Sequence, residues 1–208
     1  MQTELKKDIA LYEPILPVKA SWSLEYPEET AAIFFQEVGN QVRIVGSRSW
    51  QFAALNKCFE DVRDTMPWMK ASLNIIPPAG DNVWSDLFDK AGLKNEQAPK
   101  LMEVEIVALT RELISMLVID TASRPWETAE ENNTRLIDSV NGYGSDPMKS
   151  RPGTFASGAA HSWEVYMSRA LELLACWRHF QLPGGWGPNP NKTSRMDWDK
   201  EHRRLRYG

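Results

Sequence analysis

The chain has 208 residues, 42% of them apolar and 25% charged, with a formal net charge of −4. That length suffices for one ample core or two small domains. The acidic balance argues against non-specific nucleic-acid binding over the whole surface, while leaving room for a local basic patch. Two cysteines, Cys58 and Cys176, give no disulfide framework and read as buried, reduced thiols. No apolar run reaches membrane-spanning length, and the opening MQTELKKDIALYEPILP lacks a signal-peptide core, which predicts a cytoplasmic location and no membrane partner.

Residues 1–17 read as an N-terminal arm that turns extended at Pro14 and Pro17. Leu16, Val18, Ala20 and Trp22 then alternate with Pro17, Lys19, Ser21 and Ser23, the pattern of a half-buried strand. A second strand covers Thr30 to Phe35, and its apolar run from Ala31 suits the centre of a sheet. Gly39-Asn40 supplies the turn into Val42-Arg43-Ile44-Val45.

Phe52, Leu55, Phe59, Val62 and Met66 recur at three- and four-residue steps and predict an amphipathic helix over 50–66, ended by Pro67. A third strand region is predicted at 71–76 and a short helix at 82–91. The spacing of Leu101, Val104, Val107, Ala108, Leu113 and Leu117 predicts one long helix over 96–118. Ser123 and Thr128 offer N-caps for a helix reaching Val140, and a Gly/Ser/Pro-rich loop fills 141–159. The last helix is predicted over His161–Phe180. Residues 181–208 read as a Pro- and Gly-bearing tail with two readings: a mobile arm or partner-binding peptide that uses Trp186, Trp198, Arg203, Arg204, Arg206 and Tyr207, or a tail that wraps its own domain. Alternating strands and helices predict an α/β layered domain over residues 18–180.

The sequence contains no GxxxxGK[ST], CxxC, HExxH or GxSxG motif. His161 and His179 are eighteen residues apart, about 27 Å along one helix, too far to share a metal. A two-metal hydrolase needs three or four carboxylates converging from separate strands and helices. Here Ser23, Gly46 and Ser49 stand near the predicted strand ends. Glu25, Glu28, Glu29, Asp81 and Asp86 fall on loops and helices and read as solvated surface.

Several phrases, in order, resemble the C-terminal nuclease domain of large terminase subunits, the DNA-packaging motors of tailed phages. LPVKASWSLEYPEETAAIFFQEVGNQVRIVG resembles that domain's opening, and Ile76-Pro77-Pro78-Ala79-Gly80 stands where it has a phrase like LPHDA. VEIVALTRELISMLVID matches a helix phrase, and Tyr143, Phe155 and HSWEVYMSRALELL match its close. The similarity covers about residues 14–180. It implies an RNase H-like fold, a central mixed sheet flanked by helices, here as a stand-alone copy without the ATPase domain.

The departures fall on the chemistry. By this resemblance the catalytic acids of the family correspond to Ser23, Ala79 and Arg169, and the acids after the second strand segment to Gly46 and nearby Ser49. Such a nuclease uses its acids to hold Mg²⁺ or Mn²⁺, which activates water. Serine and alanine carry no charge to replace them, and Arg169 brings a cation where a cation should bind. No catalytic residues, metal or cofactor are therefore expected. The alternative is an active metal-dependent endonuclease with relocated acids at Glu25, Asp81 and Glu172, using Mg²⁺ or Mn²⁺. The resemblance otherwise implies a non-cutting binding or structural protein, in the host cytoplasm or the virion. Its expected partners are phage head, portal or packaging proteins, with DNA as a further candidate. A host-directed phage inhibitor is a third reading.

Overall fold

The computed structural model describes residues 12–25, 29–65, 70–78, 83–120, 134–143 and 164–181. Six strands form one sheet: β1 (Lys19–Glu25), β2 (Glu29–Val38), β3 (Gln41–Gln51), β4 (Leu73–Ile76), β5 (Asn95–Gln97) and β6 (Leu117–Ile119). Five helices flank it: α1 (Leu55–Thr65), α2 (Val83–Lys90), α3 (Glu103–Ile114), α4 (Thr134–Gly142) and α5 (Glu164–Gln181). The strand order is β5-β4-β1-β2-β3-β6. β1, β2 and β3 form an antiparallel meander, while β4 and β5 on one side and β6 on the other run parallel to their neighbours. The sheet is thus mixed, as expected.

The β2–β3 turn is the two-residue Gly39-Asn40 hairpin, with Val38 opposite Gln41 and Gly39 at φ 58°. Glycine carries no Cβ penalty there. A bulge between Phe34 and Phe35 shifts the β2–β3 register, so Phe34 faces Gly46 and Phe35 faces Ile44.

Strand alternation divides the core into two layers. Val18, Ala20, Trp22 and Leu24 of β1 face α1 and α2, together with Ala32, Phe34, Cys58 and Phe88. Ala31, Ile33, Phe35, Ile44 and Ile75 face α3, α4 and α5, against Leu113, Leu136, Leu171 and Leu174. Trp22 is the hub of the first layer. It stacks on Trp50 (5.7 Å, 9°), meets Phe59 and Phe88 edge-on, and donates its indole N–H to Asn74 Oδ1 at 2.9 Å.

Four sequence expectations change. β1 is buried on both faces, since α5 covers Ser21 and Ser23. Ser21 is compatible with that position because its hydroxyl donates to the Ala170 carbonyl at 2.8 Å. The helix expected from residue 50 starts at Leu55, because β3 runs on to Gln51 and Trp50 is held by Trp22 and by an indole bond to Asp61 Oδ2 at 2.6 Å. Phe52, expected on the helical face, sits at φ 52° with its side chain 80% exposed. The single helix expected over 96–118 is a strand, a helix and a strand. β5 adds to the edge beside β4, Pro99 follows it, and Leu117–Ile119 pairs with β3. The caps proposed at Ser123 and Thr128, His161 and the tail 182–208 lie outside the described residues.

The hub makes a direct prediction. Trp22→Ala should cost about 3–5 kcal/mol in urea unfolding, because it empties a closed aromatic cluster and strands the Asn74 amide. Phe52→Ala, at an exposed corner, should leave the midpoint within about 0.5 kcal/mol of the parent.

Candidate functional site

β1 and β4 are adjacent parallel strands near the middle of the sheet. α5 packs across β1 and β2 on one face. Between these elements lies a cleft of ≈ 250 Å³. Its walls come from Ser23 and Leu24 of β1, Pro77 and Pro78 after β4, the 99–101 segment, Ile106 of α3, and Arg169, Glu172, Leu173 and Cys176 of α5. Most of the lining is apolar.

The polar groups are few and specific. Arg169 Nη1 donates to Glu172 Oε2 at 2.9 Å, and the Tyr143 hydroxyl donates to Glu172 Oε1 at 3.1 Å. The carboxylate is thus engaged through both oxygens, on a side chain 7% exposed against 46% for Arg169. Burial, and then the Glu172 charge, push the Tyr143 hydroxyl well above the usual phenol range, with a hydrogen bond from Thr110 acting the other way. The same two causes, in the same order, push the Cys176 thiol up to about 12. Ser23 is 2% exposed, and its Oγ makes no hydrogen bond among the described residues.

The structure brings together three of the residues singled out from sequence: Ser23, Arg169 and Glu172 all line the cleft. Gly46 does not join them; it lies in β3, opposite Phe34 and two strands from β1, and Ser49 is further along the same strand. Strand β1 runs through to Glu25, opposite Glu29, but the Glu25 side chain lies outside the described residues. Ala79, Asp81 and the tail residues Trp186, Trp198, Arg203, Arg204, Arg206 and Tyr207 lie outside them too. Glu29, read as solvated surface, is 4% exposed. Sequence reasoning gave no role to two further groups. One is the buried Asp120, whose N–H donates to the Ile44 carbonyl at 2.9 Å where β6 ends. The other is the half-buried Tyr143, which the phrase comparison touched without marking it as the partner of Glu172.

The donors present in the described part of the cleft do not fit a pair of divalent cations. They offer one carboxylate, already bonded to a guanidinium and a phenol, one neutral hydroxyl and the Cys176 thiol, which burial holds protonated. Among the described residues no group of three or more His, Cys, Asp or Glu could hold a metal ion. Nor is any described helix long and apolar enough to cross a membrane.

The mixed sheet with helices on both faces is the RNase H-like architecture, in the form found in terminase nucleases. No protein-family model and no curated protein sequence matches the chain. Solved structures do. The large terminase of a thermophilic bacteriophage, in complex with ADP, superposes with a TM-score of 0.60 at 11% identity, over 80% of this chain and 40% of that one. The large terminase nuclease of thermophilic phage G20c, with bound magnesium, gives 0.51 at 11% identity, over 78% of this chain and 83% of that one. The g2p nuclease domain of bacteriophage SPP1, with bound Mn, gives 0.50 at 13%, over 76% and 84%. This chain therefore spans less than half of the ADP-bound terminase and most of the two separate nuclease domains.

Two measurements follow from the geometry. Glu172→Ala removes two hydrogen bonds from a buried carboxylate whose cationic partner is half-exposed, and should cost on the order of 1–2 kcal/mol in urea unfolding. Cys176 and Cys58, the latter raised to about 11 chiefly by burial and next by Asp61, should not react with iodoacetamide at pH 8 until the chain unfolds. Both thiols ionise later in the native state than their ordinary value of 9.0. The unfolded chain therefore releases these protons first, and their contribution to stability is complete below pH 9 and lost as pH rises towards 12. Denaturant midpoints across that range test it.

Proposed function

We propose that this chain is a terminase-nuclease-like phage protein that does not cut DNA. It serves as a binding or structural factor in DNA packaging or head assembly. The observation that carries the reading is the Arg169–Glu172–Tyr143 cluster beside Ser23, in the cleft at the C-terminal ends of β1 and β4. The G20c and SPP1 nucleases were solved with magnesium and Mn bound. In this chain a guanidinium and a neutral hydroxyl stand at positions that the sequence resemblance aligns with acids. A cation there opposes a second cation, and Ser23 offers no charge. A domain that retains the sheet and both core layers while carrying such a cleft is suited to binding.

The expected partners are phage head, portal or packaging proteins, met through this cleft or through the tail bearing Trp186, Trp198, Arg203, Arg204, Arg206 and Tyr207. DNA is the less favoured partner, given a net charge of −4. The place of action is the host cytoplasm or the virion. The competing reading, an endonuclease with acids relocated to Glu25, Asp81 and Glu172, draws support from Glu172 lining the cleft. Both Glu172 oxygens are engaged, so metal binding would first have to release Arg169 and Tyr143.

Incubation of the purified chain with supercoiled plasmid and Mn²⁺ or Mg²⁺ decides between them. The expected result is no metal-dependent nicking above the buffer control. Robust Mn²⁺-dependent nicking that disappears in Glu172→Gln or Asp81→Ala would overturn the proposal.

A further inference from the structure

Arg178, near the C-terminal end of α5, is only 5% exposed, and it holds three elements together. Its Nη2 donates to the Asn40 carbonyl in the β2–β3 turn at 3.3 Å. Its Nε lies 3.4 Å from Glu37 Oε1 near the end of β2. Its Nη1 donates to the Met116 sulfur at 3.5 Å, in the turn between α3 and β6. A guanidinium carries five N–H donors, and burying a cation is costly unless its donors are met. Here the acceptors fall short. A thioether accepts weakly, and among the described residues Nε makes no hydrogen bond, only the charge contact with Glu37.

Met116 is the one of these acceptors that chemistry can strengthen. A peroxide transfers one oxygen atom to a thioether and gives the sulfoxide. The O–O bond breaks, an S–O bond forms, the sulfur loses two electrons, and hydrogen peroxide leaves as water. The new oxygen accepts hydrogen bonds far better than the sulfur did. With its rotatable side chain, Met116 can turn that oxygen to the guanidinium beside it.

The sulfur is also within reach. Met116 is half-buried and lines a hollow of ≈ 20 Å³ together with Leu109, Glu112 and His179. That space admits a molecule about the size of water, and the exposed Glu112 on its wall opens it to solvent. The other two methionines among the described residues bracket this access. Met102 is 66% exposed, and Met167 is 2% exposed in the core.

We propose that Met116 is a site of oxidation to the sulfoxide by peroxide, and that the Arg178 guanidinium binds the oxygen this adds. Sulfoxide formation in a packed region ordinarily disrupts it. Here it strengthens the contact that ties α5 to the α3–β6 turn. None of these residues lines the cleft, so the inference stands apart from whether the cleft cuts DNA.

The test treats the full chain and its Met116→Leu variant, which keeps the volume and removes the sulfur, with hydrogen peroxide. Peptide mass spectrometry reads each methionine over time, and urea unfolding is measured before treatment and after the peroxide is removed. In the native protein Met116 should gain one oxygen, later than Met102 and earlier than Met167. The two proteins share every other methionine, so the difference between their midpoints isolates position 116. Peroxide should raise the parent's midpoint against that of Met116→Leu by about 0.2–0.5 M urea, the size expected for one added hydrogen bond to a charged group. Oxidation of Met116 no earlier than Met167 would mean that it waits for unfolding, and overturns the proposal. A parent midpoint that stays level with Met116→Leu, or falls against it, overturns it too. Plasmid nicking reads none of these contacts, so this proposal and the functional one can fail separately.

Discussion

β1 is covered on both faces, and that burial sets the geometry of everything around it. Its even-numbered residues, Val18 to Leu24, close the layer under α1 and α2, with Trp22 at the centre. Ser21 and Ser23 lie under α5, two serines at positions a fully apolar strand would fill. Ser21 meets that constraint by donating to the Ala170 carbonyl, which fixes where along the strand the helix crosses. The far end of α5 is fixed independently. Arg178 lies 3.4 Å from Glu37 and donates to the Asn40 carbonyl, Trp177 donates to Glu96 at 2.8 Å, and Lys19 rests over the Trp177 ring. With the helix pinned near its middle and its C-terminal end, the position of Arg169 and Glu172 over the strand ends is a consequence of the core.

Within the cleft the same burial sets the electrostatics. Glu172 is deep enough that its charge needs partners, and it has two. The Arg169 guanidinium supplies the opposite charge from the more exposed side, and Tyr143 supplies a neutral donor from the end of α4. The arrangement is local, since Arg169 and Glu172 lie three residues apart on one helix and face the same way. Ser23 takes no part in it. Its hydroxyl is left by the sheet geometry on the helix-covered face, at the end of β1 that borders the cleft.

The meander was legible in the sequence because its signals are local. The alternation in β1, the apolar run in β2 and Gly39-Asn40 each act within a few residues. α5 was legible for the same reason, to within a few residues at its start. The short parallel strands β5 and β6 were not. Asn95–Gln97 carries no apolar alternation at all, and it is a strand because β4 presents an open edge to it. Leu117–Ile119 continues the helical spacing of α3 and is drawn into the sheet by β3. Phe52 belongs with these, since its period matched the helix after it while Trp50 was committed to the aromatic cluster. In the cleft, Arg169 and Glu172 could be paired from their spacing. Tyr143 could not, because it lies twenty-nine residues away and only the packing of α4 on α5 brings it near.

The same partition bears on how such a domain can change its chemistry without losing its fold. The contacts that define the sheet and both layers are made by residues in the middle of the strands, from Ala20 to Trp22, Ala32 to Phe35 and Ile75 to Ile76. The cleft is built from residues at the strand ends and on the rim of α5, where the layers no longer meet. A serine at position 23 leaves the ladder with Ala31 intact, because strand pairing is carried by the backbone. An arginine at position 169 keeps its helix, because half of its side chain lies in solvent. Substitutions at these places alter charge and hydrogen bonding in the cleft and leave the core contacts untouched. Low sequence identity and a shared architecture are therefore compatible: core packing constrains the strand centres, and whatever the cleft contacts constrains its rim.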